Sequence, residues 1–225
     1  IMGIFNSKTK AFVKAIEENN LEQVQKYLDA GADMYGNDNT IIVKTFQHSD
    51  YKILKLFLSY GYQVHSKMFG IDTPLHWAVL FNDNNLISLL LEHGAVIDYF
   101  STSSIFSDRL PIQYAIKRGH SKVVEYLIER GHNFKKYYML CFKELFKYGY
   151  YTKGNHAEKM LTLFLSLLEK HNIQVNLNNL IHGHANPYML QLIQKHYNVS
   201  PLIDNHSISP YELQPLLTSS KDKYS

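Results

Sequence analysis

Thr73-Pro74-Leu75-His76-Trp77-Ala78-Val79-Leu80-Phe81 opens a segment that closes on Leu89-Leu90-Leu91-Glu92-His93-Gly94. Thr73 is a good residue to cap a helix start, and Pro74 suits the first helical position, where its missing N–H is no loss. Asn82-Asp83 is a turn pair. Ile87, Leu90 and Leu91 then recur at spacings of three and four residues, which puts them on one face of a second helix. Gly94 fits the end of that helix, because glycine enters the left-handed conformation without a Cβ clash. The stretch reads helix, tight turn, helix, glycine.

The same order recurs in both directions. Val24 to Gly31, Ile53 to Gly61 and Val123 to Gly131 are apolar, helix-spaced runs ending in glycine. A shorter apolar segment lies upstream of each: Lys10-Ala11-Phe12-Val13, Thr40-Ile41-Ile42-Val43 and Leu110-Pro111-Ile112-Gln113. Asn19-Asn20, Ser49-Asp50 and Gly119-His120 supply the turns between the helices. Self-similarity at a fixed period marks a chain built of stacked units.

These residues resemble the ankyrin-repeat family. The third unit carries Thr73 to Ala78 and Leu89 to Asp98, and the fourth carries Leu110 to Ala115 with Arg118-Gly119-His120 and Leu127 to Gly131. The first ends Leu28-Asp29-Ala30-Gly31-Ala32-Asp33, and the resemblance runs from about Lys10 to Phe134. It implies an all-α solenoid of about six units, the later ones irregular, closed by a C-terminal capping half-repeat. Residues 7–134 hold four recognisable repeats, 135–217 degenerate repeats and the cap, and 218–225 a flexible tail. Beyond Phe134, Leu163 to Leu168 followed by Asn172-Ile173 looks like another second helix, with Asn172 in the left-handed role. Leu190 to Ile193, then His196-Tyr197-Asn198, suggests a sixth unit, and Ser209-Pro210-Tyr211-Glu212 a closing half-repeat.

Composition narrows the function. The chain of 225 residues is 45% hydrophobic and 19% charged, with 17 Tyr and 12 Phe, which is not a disordered profile. A net charge of +3 is too mild to imply nucleic-acid binding. Cys141 is the single cysteine, so no intrachain disulfide forms and a Cys-rich zinc site is excluded. It sits in the apolar run Tyr137 to Phe146, the setting of an inert thiol. His182-Gly183-His184 has no Cys or carboxylate at ligand spacing beside it. No nucleophile elbow, phosphate loop or metalloprotease motif is present. The expectation is a binding protein with no cofactor, no metal and no catalytic residue.

The family resemblance implies that the two residues before each inter-helix turn line a concave surface. Here they are Glu17-Glu18, Gln47-His48, Leu80-Phe81 and Lys117-Arg118, a surface running from acidic through apolar to basic. Tyr35, Met68, Phe69, Tyr99, Phe100, Ile105, Phe106, Phe134 and Tyr137 fall in segments that read as loop, where large apolar groups mark interfaces. Gln47, His48, Phe69, Leu80, Phe81, Tyr99, Phe100, Phe106, Lys117 and Arg118 are thus the expected partner-binding residues.

The expected partner is another protein, not nucleic acid, and the expected chain is monomeric and cytoplasmic. The abundance of Asn, Lys, Ile and Tyr resembles coding from an AT-rich genome, as in ankyrin proteins of intracellular bacteria and large DNA viruses that act on host proteins. Two alternatives stand beside this. Residues 135–217 could form a separate helical domain with its own enzymatic activity. With Met2 as the start, Gly3-Ile4-Phe5-Asn6-Ser7 matches the N-myristoylation pattern, so Gly3 would tether the chain to membrane.

Overall fold

Five helices close with one backbone pattern. The N–H groups of Ala32, Tyr62, Ala95, His132 and Ile173 donate five residues back, to the carbonyls of Tyr27, Phe57, Leu90, Leu127 and Leu168, at 2.9–3.0 Å. The residue before each donor is left-handed: Gly31, Gly61, Gly94 and Gly131 at φ of 77, 84, 88 and 108°, and Asn172 at 50°. This closure satisfies carbonyls that the last helical turn would otherwise leave open. Asn172 shows that an Asn side chain serves where four units use glycine.

The computed structural model describes residues 7–36, 39, 41–68, 72–101, 109–148, 155–173 and 191. Among them are ten helices and no strand. The first helices of the pairs are α1 (Ser7–Glu17), α3 (Ile41–Thr45), α5 (Pro74–Leu80), α7 (Pro111–Arg118) and α9 (Phe134–Tyr148). The second helices are α2 (Leu21–Asp29), α4 (Lys52–Ser59), α6 (Asn84–Glu92), α8 (Ser121–Glu129) and α10 (Asn155–Lys170). The suggested sixth unit and closing half-repeat lie outside the described residues, Gln191 excepted. No helix among the described residues is long and apolar enough to cross a membrane.

The chain divides into two compact units. The first comprises Ile1–Ala115 and Glu125–His132. Its helices pack α1 on α2 and α3, α4 on α2 and α3, and α5 on α6. Phe12 stacks on Phe57 with centroids 6.0 Å apart and meets Tyr27 edge-on at 5.7 Å. Ile16, Val24, Leu54, Leu75, Ile87 and Leu90 are buried within the same unit. Each such side chain contributes about 1.5–3 kcal/mol by leaving water.

The second unit comprises Ile116–Val124 and Asn133–Ser225. Its described core is the α9–α10 pair. Phe164 lies 5.7 Å from Phe134 and 5.3 Å from Phe142, and Leu145, Phe146, Met160 and Leu161 are buried in the same two helices. Cys141, the chain's single cysteine and so in no disulfide within it, is buried in α9.

Two residues expected on loops are in a helix, and two others stay outside the helices but pack inward. Phe134 and Tyr137 belong to α9, and Phe134 is buried. The helix starts there because the Asn133 side-chain oxygen accepts the Lys136 N–H at 3.0 Å. Met68 is fully buried, since its N–H and C=O pair with the C=O and N–H of Asp72 at 2.6 and 3.3 Å and draw the finger inward. Tyr35 stacks on the buried Tyr62 at 5.1 Å. The turn expected at Ser49-Asp50 becomes left-handed at Tyr51, with φ 51°.

Candidate functional site

The site is held by the start of α5 and displayed at its end. At the start, Thr73 precedes Pro74, and the buried His76 ring locks the cap. His76 Nε2 faces the Arg109 carbonyl at 3.1 Å, and a carbonyl only accepts, so the proton is on Nε2. Nδ1 is therefore the acceptor for the Thr73 N–H at 3.2 Å and the Thr73 hydroxyl at 2.9 Å. Burial holds the imidazole below its ordinary pKa, and the opposing pull of Asp72 is weaker. The fourth unit repeats the device with an amide: Gln113 Oε1 accepts the Leu110 N–H at 2.9 Å. Close by, the Tyr114 hydroxyl donates to Asp72 at 2.7 Å, and burial is the main cause pushing that phenol up to about 12.

At the other end of α5, Leu80 is half-buried and Phe81 is 49% exposed. The Phe81 ring is braced from beneath. Trp77, one turn earlier, lies 5.9 Å away, and the buried Phe46 meets it edge-on at 6.5 Å. Such packing fixes the ring's direction without covering it, and a rigid, half-exposed aromatic loses little entropy when a partner covers it.

The other expected residues have distinct fates. Gln47 is exposed. His48 is half-buried, and its Nε2 donates to the Ile16 carbonyl at 2.9 Å, joining the first two repeats. Tyr99 stacks on His65 at 6.4 Å, and Phe100 is half-buried. Lys117, half-buried, and Arg118, exposed, end α7 within the second unit. Phe69, Phe106 and Gly3 lie outside the described residues, as do Ile105, His182 and His184. The acidic end of the surface is compensated: Glu17 pairs with Lys44 at 2.8 Å and Glu18 with Lys14 at 3.6 Å.

Sequence reasoning missed the two braces. Trp77 and Phe81 stand four residues apart on one helix, a spacing that brings side chains together and was open to view. Phe46 lies just beyond α3 and could not be placed without the neighbouring repeat. Among the described residues no group of three His, Cys, Asp or Glu could hold a metal ion. The part-buried pair His132 Nδ1–Asp98 joins the fourth helix exit to the third.

A family model described as ankyrin repeats (3 copies) matches residues 12–101 and 46–138. The two matches together cover more than half of the chain. No curated protein matches it.

Proposed function

Since the chain belongs to the ankyrin-repeat family, whose repeats are in general protein–protein interaction modules, we propose that it binds a partner protein through a surface centred on Phe81. The observation that supports this is the exposed Phe81 ring braced by Trp77 and Phe46. A large aromatic held outward is the kind of anchor that dominates an interface, with polar neighbours such as Gln47 forming the rim. Leu80, its neighbour in the chain, extends the apolar area.

Repeats of this family are typically binding modules without chemistry of their own, and no catalytic residue is proposed here. The richness in Asn, Lys, Ile and Tyr supports a host protein as the partner, met in a cytoplasm.

The test is a photo-crosslinking amino acid at position 81, offered to eukaryotic and bacterial lysates, followed by affinity measurement on the captured protein. Phe81→Ala is expected to weaken binding at least roughly tenfold with little change in melting temperature. Full affinity in that variant would move the interface elsewhere.

A further inference from the structure

The turn inside the second repeat is built unlike its neighbours. Helices α1 and α5 end in backbone hooks of their own. The Asn20 N–H donates to the Ala15 carbonyl at 2.9 Å, and the Asp83 N–H to the Ala78 carbonyl at 3.2 Å. Each hook follows a left-handed asparagine, Asn19 at φ 53° and Asn82 at φ 60°. Among the described residues no such hook closes α3, which stops at Thr45 after five residues. The Thr45 hydroxyl donates back to the Ile42 carbonyl at 2.7 Å, a local bond that competes with the helix ladder. Beyond it, the N–H groups of Phe46, Gln47 and Tyr51 reach only three residues back, at 3.1, 3.4 and 3.0 Å. The left-handed residue comes at Tyr51, φ 51°, a conformation that asparagine or glycine tolerates and a bulky buried side chain does not.

Bonds from the adjoining repeats hold this segment instead. On one side, His48 Nε2 donates to the Ile16 carbonyl at 2.9 Å. On the other, the segment is clamped at both its ends to the exit of α5. Phe46 meets Phe81 edge-on at 6.5 Å, and Tyr51 donates its hydroxyl to Asp83, two residues beyond Phe81. Backbone strain of the Tyr51 kind persists only where the surroundings over-determine it, and the bond to Asp83 supplies such a constraint. A segment without its own hook shifts when that clamp opens, and Phe46 shifts with it.

We infer that Tyr51 is a positioning residue for the Phe81 anchor: through Asp83 it fixes residues 46–51, and Phe46, carried on them, fixes the Phe81 ring. This role rests on the reading of Phe81 as the anchor of the proposed interface. A ring already held in one direction has less freedom to lose on contact, so releasing Tyr51 weakens binding although Tyr51 itself is buried away from any partner.

Trp77 reports on the ring, because it is the chain's single tryptophan and lies 5.9 Å from Phe81. The test follows its indole N–H signal by nitrogen–proton correlation NMR of the full chain. Phe81→Ala and Phe46→Leu mark where the signal lies when the ring is absent or its brace is cut back. Tyr51→Phe, which loses only the hydroxyl, is expected to move the signal toward those positions. Asp83→Ser keeps a cap for α6 but offers no second oxygen to Tyr51, so it opens the clamp from the other end and should give the same shift. Tyr60→Phe is the control: Tyr60 also donates to a carboxylate of another repeat, Asp29, and its loss should leave the signal in place. Amide exchange at Gln47 to Asp50 should speed up at least roughly threefold in Tyr51→Phe and stay unchanged in Tyr60→Phe. An unmoved indole signal in Tyr51→Phe and Asp83→Ser overturns the role of Tyr51, as does an equal movement in Tyr60→Phe. The signal needs no partner, so a failure of position 81 to capture any protein would remove the interface and leave this result standing. Against a protein captured there, Tyr51→Phe is expected to bind at least roughly threefold more weakly and Tyr60→Phe as the natural chain does.

Discussion

Tyr51 donates its hydroxyl to Asp83, thirty-two residues on. Tyr51 stands at the N-cap of α4, where α2 has Asn20 and α6 has Asp83. A phenol cannot reach back to cap its own helix, and no side-chain bond does so there. It reaches forward instead, to the residue that caps the next one. The other Asp83 oxygen accepts the Leu86 N–H at 3.0 Å. Burial, and then Asp83, push the Tyr51 phenol above its ordinary pKa. One carboxylate thus serves two repeats.

Tyr51→Phe is expected to cost about 1 kcal/mol, since a part-buried hydrogen bond to a carboxylate is lost while the ring remains. Asp83→Ala should cost more, because it also removes the cap of α6. Urea unfolding of both variants checks the order. A Tyr51→Phe protein as stable as the natural chain would show that the bond contributes nothing net.

His76 predicts a pH dependence. Its folded pKa lies below the unfolded value of about 6.5, so between those two values the unfolded chain binds the extra proton. Its contribution is therefore fully present above about pH 6.5 and is lost as pH falls toward the folded value. His76→Gln should keep a cap acceptor, as Gln113 does for Leu110, and remove the titration. Thermal melts from neutral to mildly acidic pH are expected to fall less steeply in that variant. Parallel slopes would assign the acid sensitivity to other groups.

Two glycines separate strain from crowding. Gly61 is left-handed at φ 84°, but a Cβ there would meet nothing within 4 Å. Gly36 is left-handed at φ 59°, and its Cβ would lie 2.6 and 2.7 Å from Ile41 Cδ1 and Cγ1. Gly61→Ala should cost about 1–2 kcal/mol from conformation alone. Gly36→Ala should cost more, because Ile41 is buried and has to shift. Equal midpoints in denaturant would mean that the Ile41 side chain swings aside freely.

Leu90 and Phe81 are both large and apolar, but Leu90 is fully buried and Phe81 is half exposed. Leu90→Ala is expected to destabilise by about 2–5 kcal/mol, through lost burial and the cavity left behind. Phe81→Ala should fall well below that range. Thr73→Ala, which removes the hydroxyl facing His76, is expected near 1 kcal/mol. Differential scanning calorimetry on the three variants tests the ranking, and a Phe81 variant as unstable as the Leu90 one would make Phe81 a core residue.

The helix exits were legible because they depend on local chemistry. A glycine or asparagine must stand where the backbone turns left-handed, so Gly31, Gly61, Gly94, Gly131 and Asn172 could be found by alignment alone. Buried Cys141 followed from the apolar run around it, and exposed Phe81 from the family resemblance, which implies that the residues before the inter-helix turn face outward. The fingers were not legible. Met68 and Tyr35 look alike in sequence to residues of an exposed tip, and only the pairing of Met68 with Asp72 and the stacking of Tyr35 on Tyr62 bring them in. Those contacts cross between segments, and a one-dimensional pattern carries no record of them. Tyr51 was missed for a related reason, since its partner is a whole repeat away.

The shared closure of the second helices has a genetic consequence. Its bonds run from backbone N–H to backbone C=O, so they are indifferent to the side chains that flank the joint. A duplication or deletion that begins and ends at a left-handed residue rejoins the chain through the same hook. Units of this protein can thus be copied, lost or diverge singly without redesign of the seam, and Asn172 shows that even the hinge residue can drift from glycine while the seam holds.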